Sequence, residues 1–377
     1  MLINNKKISY IAELNLNSKS AYKHQVLKMC DAFSELNFDV TLFVISNSNA
    51  SFNQLKRDHL LKNEFKIQNL YDQKKNLNFL LRIIFFLKLF ISEKNKLANS
   101  IIYSRSVFCS LMFSLVGKKN YLEIHQENSG LTGRLFNFFK KRILKKTNFV
   151  LISKNLNKAY LLPSNKFLIA EDGVDIRDFN LYNVKYYKEL KNSCVYTGSL
   201  YKGKGFEFIL ELSKKNKNLN FYVYGDIGTA QPKVLKKAKK LKNLKLMGHI
   251  EYSKIPNVLK KYPVILMPYE KKVFGNHKTA NLADFMSPLK MFDYLAAKKV
   301  IISSKNENIQ KILKNNYNSL ICNNLRTDEW SEKIFKSMCD VNLKKNLGKN
   351  AFITAKKFTW KARVNKIIEF IKNNNIS

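Results

Sequence analysis

The sequence predicts an α/β protein built of two doubly wound, parallel-sheet domains, and three observations carry that expectation. Strand-like apolar runs alternate with segments of helical periodicity along most of the chain. The alternation pauses in a polar stretch at residues 182–192 and restarts at Cys194. The length of 377 residues suits two domains of ordinary size.

Taken in order, residues 8–12 read as a first strand, and residues 20–36 carry apolar positions at helical spacing (Val26, Leu27, Cys30, Phe33, Leu36). Residues 40–45 form a continuous apolar run, as expected of a strand covered on both faces. Further strands are expected at 101–103, 121–124, 149–152 and 167–169. The second domain repeats the pattern with strands at 194–197, 221–224, 244–247, 264–267 and 300–303, and a last helix spans 360–372. The expected division is therefore 1–185, 186–357 and a terminal helix within 358–377. The stretch 77–91 is the most apolar, but it contains Arg82 and Lys88 and is shorter than the roughly 20 residues that cross a bilayer. It reads as a core or interfacial helix.

Lys and Arg number 67 against 28 Asp and Glu, a formal charge of +39. Part of that excess follows from a composition crowded with Lys, Asn and Ile, and the remainder suits a nucleotide, nucleic acid or an anionic membrane face. Five widely spaced cysteines, without a Cys-x-x-Cys pair, predict reduced, buried thiols of a cytoplasmic protein and neither a disulfide framework nor a zinc site. The first thirteen residues interrupt their apolar run with Asn4, Asn5, Lys6 and Lys7 and show no export signal. His24, His59, His249 and His277 lack metal-ligand spacing.

Two segments carry candidate chemistry. Residues 198–205 (GSLYKGKG) follow a strand and open a helix, which brings backbone N–H groups and the side chain of Lys202 or Lys204 to one point. That is an anion site, best suited to a diphosphate. It is not an NTPase P-loop, because Gly205 stands where the magnesium-binding Ser or Thr is required. Residues 285–297 (FMSPLKMFDYLAA) place Ser287 as an expected N-cap and Pro288 at the first helical position. Lys290 and Asp293, three apart, share a face. Asp293 is placed to accept hydrogen bonds from ribose, or else it pairs with Lys290 in a surface salt bridge.

These segments, together with residues 170–175 (AEDGVD) and Trp360, resemble the retaining glycosyltransferases of family 4, also called group 1. The resemblance covers nearly the whole chain. It implies the GT-B fold, two Rossmann-like domains facing across a cleft, with the last helix crossing back to the first. It further implies that Lys204 neutralises the diphosphate of a nucleotide-sugar donor, and that Gly198, Ser199 and Lys202 line the same loop. Ser199 replaces the family's frequent arginine, leaving Lys290 or Lys202 to compensate. The second acid of the family's Glu-x7-Glu motif falls on Asp293 and the first on Phe285, so Asp284 is the candidate substitute. Ser287, Pro288 and Leu289 complete the helix start at the donor. In the first domain the resemblance places Ser18 in the first loop, and Glu123 and His125 at a strand end. Arg105 follows another strand by the same strand-end logic.

The implied reaction is transfer of a sugar from a nucleoside diphosphate to an acceptor hydroxyl with retention of configuration, in cell-surface polysaccharide or glycolipid synthesis. His125, Lys204 and Asp293 carry it, and neither metal nor other cofactor is needed. The expected partners are the nucleotide-sugar donor, a sugar or lipid-linked acceptor, and an anionic membrane surface at the inner face of the cell membrane. Residues 133–146 combine aromatics with six basic residues in the manner of an interfacial helix, whereas the lysines of 233–245 read as a solvated face. Three other readings are a nucleotide-sugar epimerase of the same fold, a non-catalytic relative, and a basic nucleic-acid-binding protein. The last lacks any nucleic-acid recognition motif.

Overall fold

The computed structural model describes residues 6–45, 51–71, 78–128, 130–180, 189–274 and 281–375. It divides into one unit of Met1–Glu171 with Trp360–Ser377 and a second of Asp172–Thr359. The expected linker near residue 185 and His277 lie outside the described residues.

The first unit holds β1 (Lys7–Ala12), β2 (Asp39–Ile45), β3 (Lys66–Tyr71), β4 (Ile101–Ser104), β5 (Asn120–Ile124), β6 (Thr147–Leu151) and β7 (Phe167–Ile169). They form one sheet in the order β3-β2-β1-β4-β5-β6-β7, and every pair is parallel. All residues of β4, β5 and β6 are buried, so these runs show no inside-to-outside alternation, and their polar members Ser104, Asn120, Glu123, Thr147 and Asn148 are buried with the rest. The Phe79–Ser92 helix buries Phe85, Phe86 and Leu89 against Phe43, Phe108 and Phe113. Deleting one such ring costs about 3–5 kcal/mol. The terminal Trp360–Asn375 helix packs on the Ala21–Glu35 helix and buries Val364, Ile367 and Ile371.

The second unit holds β8 (Ser193–Thr197), β9 (Asn220–Tyr224), β10 (Leu244–Gly248), β11 (Val264–Met267), β12 (Val300–Ser304) and β13 (Leu320–Cys322). Their order is β10-β9-β8-β11-β12-β13, again all parallel. Two apolar clusters serve this sheet. One is centred on Met291, Phe292, Tyr294 and Leu295, the other on Phe206, Ile209, Leu212 and Trp330.

Both sheets have a strand-order reversal, between β1 and β4 and between β8 and β11. Loops leaving the carboxyl ends of strands beside such a reversal diverge to opposite faces and leave a crevice for ligands. The loop after β8 and the residues after β4 therefore occupy ligand-binding positions within their own units, and those after β5 lie one strand further along the sheet. Among the described residues no helix is long and apolar enough to cross a membrane.

Candidate functional site

In the second unit, the loop after β8 is shaped by glycine where no other residue fits. Gly203 and Gly205 have φ of +85° and +95°. A Cβ at Gly203 would lie 2.0 Å from the Lys272 carbonyl oxygen, and one at Gly205 would lie 2.0 Å from that of Pro268. The loop is thus pressed against the segment after β11, which bonds to it through Glu270 N–H to Gly203 O (2.9 Å) and Phe274 N–H to Lys202 O (3.2 Å). The Phe206–Lys215 helix starts directly after Gly205 without a side-chain cap. Its first-turn N–H groups lie beside the loop, as a phosphate site requires.

Lys290 reaches this loop from the Leu289–Ala296 helix. Its Nζ lies 3.9 Å from the Tyr196 ring centre and 4.8 Å from that of Tyr269, and a Cβ added at Gly198 would lie 3.3 Å from it. Burial, and then the charge of Lys204, hold the Lys290 ammonium well below its ordinary range, although part of its side chain keeps contact with solvent. Burial also lowers Lys204, whose Nζ lies 5.8 Å over the Tyr201 ring. No carboxylate among the described residues offsets either group. Two crowded cations without an anion form a site that a diphosphate would satisfy. Lys202 is exposed, and the Ser199 carbonyl accepts the Tyr196 hydroxyl at 2.8 Å.

The helix start differs from the expected one. Pro288, not Ser287, is the N-cap residue, with extended backbone (ψ 123°), and the Ser287 hydroxyl is buried without a hydrogen-bond partner among the described residues. The chain enters the helix one residue later than the Ser-Pro signature suggests. Leu289 is the first helical residue, and no side chain caps the N–H groups that follow. Lys290 and Asp293 also have different partners. Lys290 sits over the tyrosines, while Asp293 Oδ1 accepts the Tyr252 hydroxyl at 3.0 Å. Burial raises the Tyr252 phenol well above its usual range, with Asp293, Asp178 and Asp175 acting in the same sense. The phenol therefore remains a donor. Asp284 is exposed, accepts from Asn281 Nδ2 at 3.2 Å, and gives its carbonyl to Asn308 Nδ2 at 2.5 Å.

In the first unit the expected residues gather around one carboxylate. Glu123, 1% exposed, accepts from Gln25 Nε2 (2.7 Å), Tyr103 hydroxyl (2.5 Å) and Arg363 Nη2 (2.9 Å). His125 Nε2 lies 2.6 Å from Glu123 Oε1, and Arg105 Nη1 lies 3.4 Å from the same oxygen. Burial alone would raise this carboxyl. Arg363, the His125 hydrogen bond and Arg105 together outweigh it and hold Glu123 far below the carboxylate range. Its burial denies Glu123 the direct substrate contact expected of it; what faces outward from the cluster is His125, one-fifth exposed. Arg105 donates to Gln25 Oε1 at 2.5 Å and lies 4.8 Å over the Tyr22 ring. Ser18 is half-exposed and bonds Ser20 (2.9 Å), whose hydroxyl caps the Ala21–Glu35 helix. Gln25, Arg363, Tyr196, Tyr252 and Tyr269 had no motif to mark them in the sequence.

Residues 191–340 match the family model for glycosyl transferases group 1. An uncharacterized glycosyltransferase of Methanocaldococcus jannaschii is 23% identical over 226 residues, 59% of this chain and 58% of that protein. The match thus spans under two thirds of the relative's length. Among solved structures, a glycosyltransferase from Rickettsia africae shares the fold with a TM-score of 0.75 at 15% identity, over 98% of both chains. The Anabaena protein HepE, solved in complex with UDP-glucose, does so with a TM-score of 0.71 at 11% identity, over 97% of this chain and 99% of that one. At such identities the likeness establishes the fold. The two parallel-sheet, Rossmann-like units thus share the fold of the GT-B type, and the segment similar to the glycosyl transferases group 1 model contains the glycine loop and both lysines.

Proposed function

We propose that this protein transfers a sugar from a nucleoside diphosphate sugar to an acceptor hydroxyl, with retention of configuration, in the synthesis of a surface polysaccharide or glycolipid. The observation that carries the reading is Lys290 beside a glycine loop at the sheet's reversal, close enough to Lys204 for that charge to lower it, with no carboxylate among the described residues to balance either lysine. In the reaction the bond between the anomeric carbon and the diphosphate oxygen breaks. The acceptor oxygen bonds that carbon on the same face, and its proton passes to the departing phosphate oxygen. The two lysines and the uncapped N–H groups at Gly205 and Leu289 stabilise the charge that develops on the leaving group. Lysine charge serves the role that a divalent cation fills at other diphosphate sites, so the proposed reaction uses neither metal nor cofactor. His125 and Arg105 belong to the acceptor-bearing unit. Incubation with UDP-, GDP-, TDP- and ADP-sugars tests the reading: release of free nucleoside diphosphate supports it, whereas epimerised donor, or no turnover with any of them, refutes it.

Asp293 is proposed to hold the donor ribose, with Tyr252 fixing the carboxylate. Asp293→Asn is expected to weaken binding of the bare nucleoside diphosphate about tenfold and to leave the sugar preference unchanged. Calorimetry decides, and unchanged affinity would remove the ribose assignment.

The membrane expectation gains a more definite surface. Residues 133–146 are not one helix but parts of two, Gly130–Phe138 and Lys140–Lys146, and Phe136 and Ile143 point into the core. Phe138 (81% exposed) and Leu131 remain outside with Arg134, Lys140, Lys141, Lys145 and Lys146. The adjoining Phe79–Ser92 helix, tied to the first by Arg82 Nη1 to Thr132 Oγ1 (3.0 Å), adds exposed Leu80, Leu87 and Ile91. We propose that this face rests on anionic lipid, each basic residue contributing about 1 kcal/mol before screening. Neutralising Lys140, Lys141, Arg142, Lys145 and Lys146 should abolish most co-sedimentation with anionic vesicles. Equal loss from neutralising the lysines of 233–245 would show that net charge alone drives it.

A further inference from the structure

Lys290 stands where a cation is ordinarily matched by a carboxylate, and here aromatic rings fill that place. Its helix is pinned to the end of β8 by Tyr294, whose hydroxyl donates to the Thr197 carbonyl and accepts the Thr197 N–H, each at 3.0 Å. A spacing of four puts Lys290 and Tyr294 on one face of the Leu289–Ala296 helix, so the docking that seats the phenol also carries the lysine to the glycine loop. There Nζ lies over two tyrosine rings, 3.9 Å from the centre of Tyr196 and 4.8 Å from that of Tyr269. Both distances fall within the roughly 6 Å over which a ring face attracts a cation.

The two rings belong to the pieces that shape the loop. Tyr196, fully buried in β8, donates its hydroxyl to the Ser199 carbonyl at 2.8 Å, so one side chain contacts both the loop and the lysine. Tyr269 is buried in the segment after β11, next to the Pro268 carbonyl that presses on Gly205. A Cβ at Gly198 would lie 3.3 Å from Lys290 Nζ and 3.5 Å from the Tyr196 hydroxyl, so glycine there leaves the amine its room. Neither phenol supplies an anion, because burial pushes both far above neutral pH. Among the described residues the charged group that acts on Lys290 is Lys204, and it adds to burial in favouring the free amine. The ring faces act in the opposite sense, since a π face attracts an ammonium more strongly than a neutral amine.

We infer that Tyr196 and Tyr269 are positioning residues of the diphosphate site: their ring faces take the place of a carboxylate, keeping Lys290 an ammonium and holding it at the glycine loop. A carboxylate in that position would neutralise the cation and repel an incoming diphosphate. A ring satisfies the cation and leaves its full charge for the ligand. The assignment of a diphosphate to this loop rests on the function proposed above. The dependence of the Lys290 ammonium on the rings does not.

Competitive labelling of the full chain with trace acetic anhydride across a pH series, read by mass spectrometry on the peptide that contains Lys290, gives the protonation midpoint of Lys290 without any ligand. Tyr269→Phe keeps the ring and is expected to leave that midpoint at the wild-type value. Tyr269→Leu removes the ring and is expected to lower it by about one pH unit. Calorimetry with inorganic pyrophosphate over the same series should show binding lost about one pH unit earlier on the alkaline side in Tyr269→Leu, the ionisation of pyrophosphate being common to all variants. A midpoint unchanged in folded Tyr269→Leu, or lowered equally by Tyr269→Phe, overturns the inference. Should Tyr269→Leu not fold, a trifluorinated phenylalanine at position 269 keeps the shape of Phe and weakens the negative face of the ring. Its midpoint is expected to fall below that of Tyr269→Phe, and equality overturns the inference. Midpoints that follow the ring, with neither pyrophosphate nor nucleoside diphosphate bound at any pH, uphold the dependence of Lys290 on the rings and refute the diphosphate reading, so the two failures are seen separately.

Discussion

Lys204→Ala is expected to lower sugar transfer by about 10²–10³-fold while leaving thermal stability unchanged or slightly raised. The two halves of that expectation have one cause. Lys204 lies partly buried beside Lys290, each lysine is held below its ordinary range, and no carboxylate among the described residues pairs with either. Such an arrangement costs the free protein stability and is repaid only when an anion arrives. Removing one ammonium relieves the repulsion in the resting state and removes a stabilising charge where the diphosphate departs. Lys290 should then regain part of its ordinary basicity, because the second cause of its depression is gone. The decisive comparison is transfer rate against melting temperature. A melting temperature several degrees lower with transfer within tenfold of wild type would make Lys204 a structural residue and detach the diphosphate from this loop.

The parts of the fold that were legible are those buried on both sides. Residues 40–45, 149–152 and 264–267 are apolar throughout because each lies within a sheet covered by helices, and each is a strand in the structure. The two strands with no sequence signal are β3 and β13, which stand at sheet edges. The β3 sequence KIQNLY is half polar and partly exposed, and β13 has only three residues, too few to establish a period. The site divides in the same way. Its glycine loop could be read because positive φ and close backbone approach leave a mark in residue type. The Ser287 cap misled by one residue, since Pro fits both the N-cap and the first-turn positions and only backbone geometry separates them. The Arg363–Glu123 pair joins positions 240 residues apart, and the Tyr252–Asp293 bond joins positions 41 apart. Contacts of that kind are fixed by how helices settle on a sheet, and no local pattern announces them.

Acidification is expected to destabilise the first unit between pH 6.5 and pH 5, because of a histidine pair that the site does not use. His24 and His59 are buried, with Nδ1 atoms 3.0 Å apart and rings stacked at 5.3 Å. One Nδ1–H must donate to the lone pair of the other, so a proton added to the accepting Nδ1 removes the bond and creates a buried charge. Burial pushes His59 down to about 3, with Lys23 and Lys28 acting in the same direction, and burial followed by His59 lowers His24 well below its usual value. The unfolded chain therefore binds more protons than the folded one throughout this window, and stability is full above the unfolded histidine value and lost as pH falls below it. For His59 alone, 1.5 pH units correspond to about 2 kcal/mol, and His24 adds in the same sense. Trp330→Phe leaves Trp360, on the terminal helix of the first unit, as the sole tryptophan and so reports that unit's unfolding. Denaturant midpoints should fall clearly from pH 7.5 to pH 5, and His59→Gln should flatten the slope. Equal midpoints at both pH values would mean that the pair already carries a proton in the folded protein at neutral pH, with Lys23 and Lys28 too distant to prevent it.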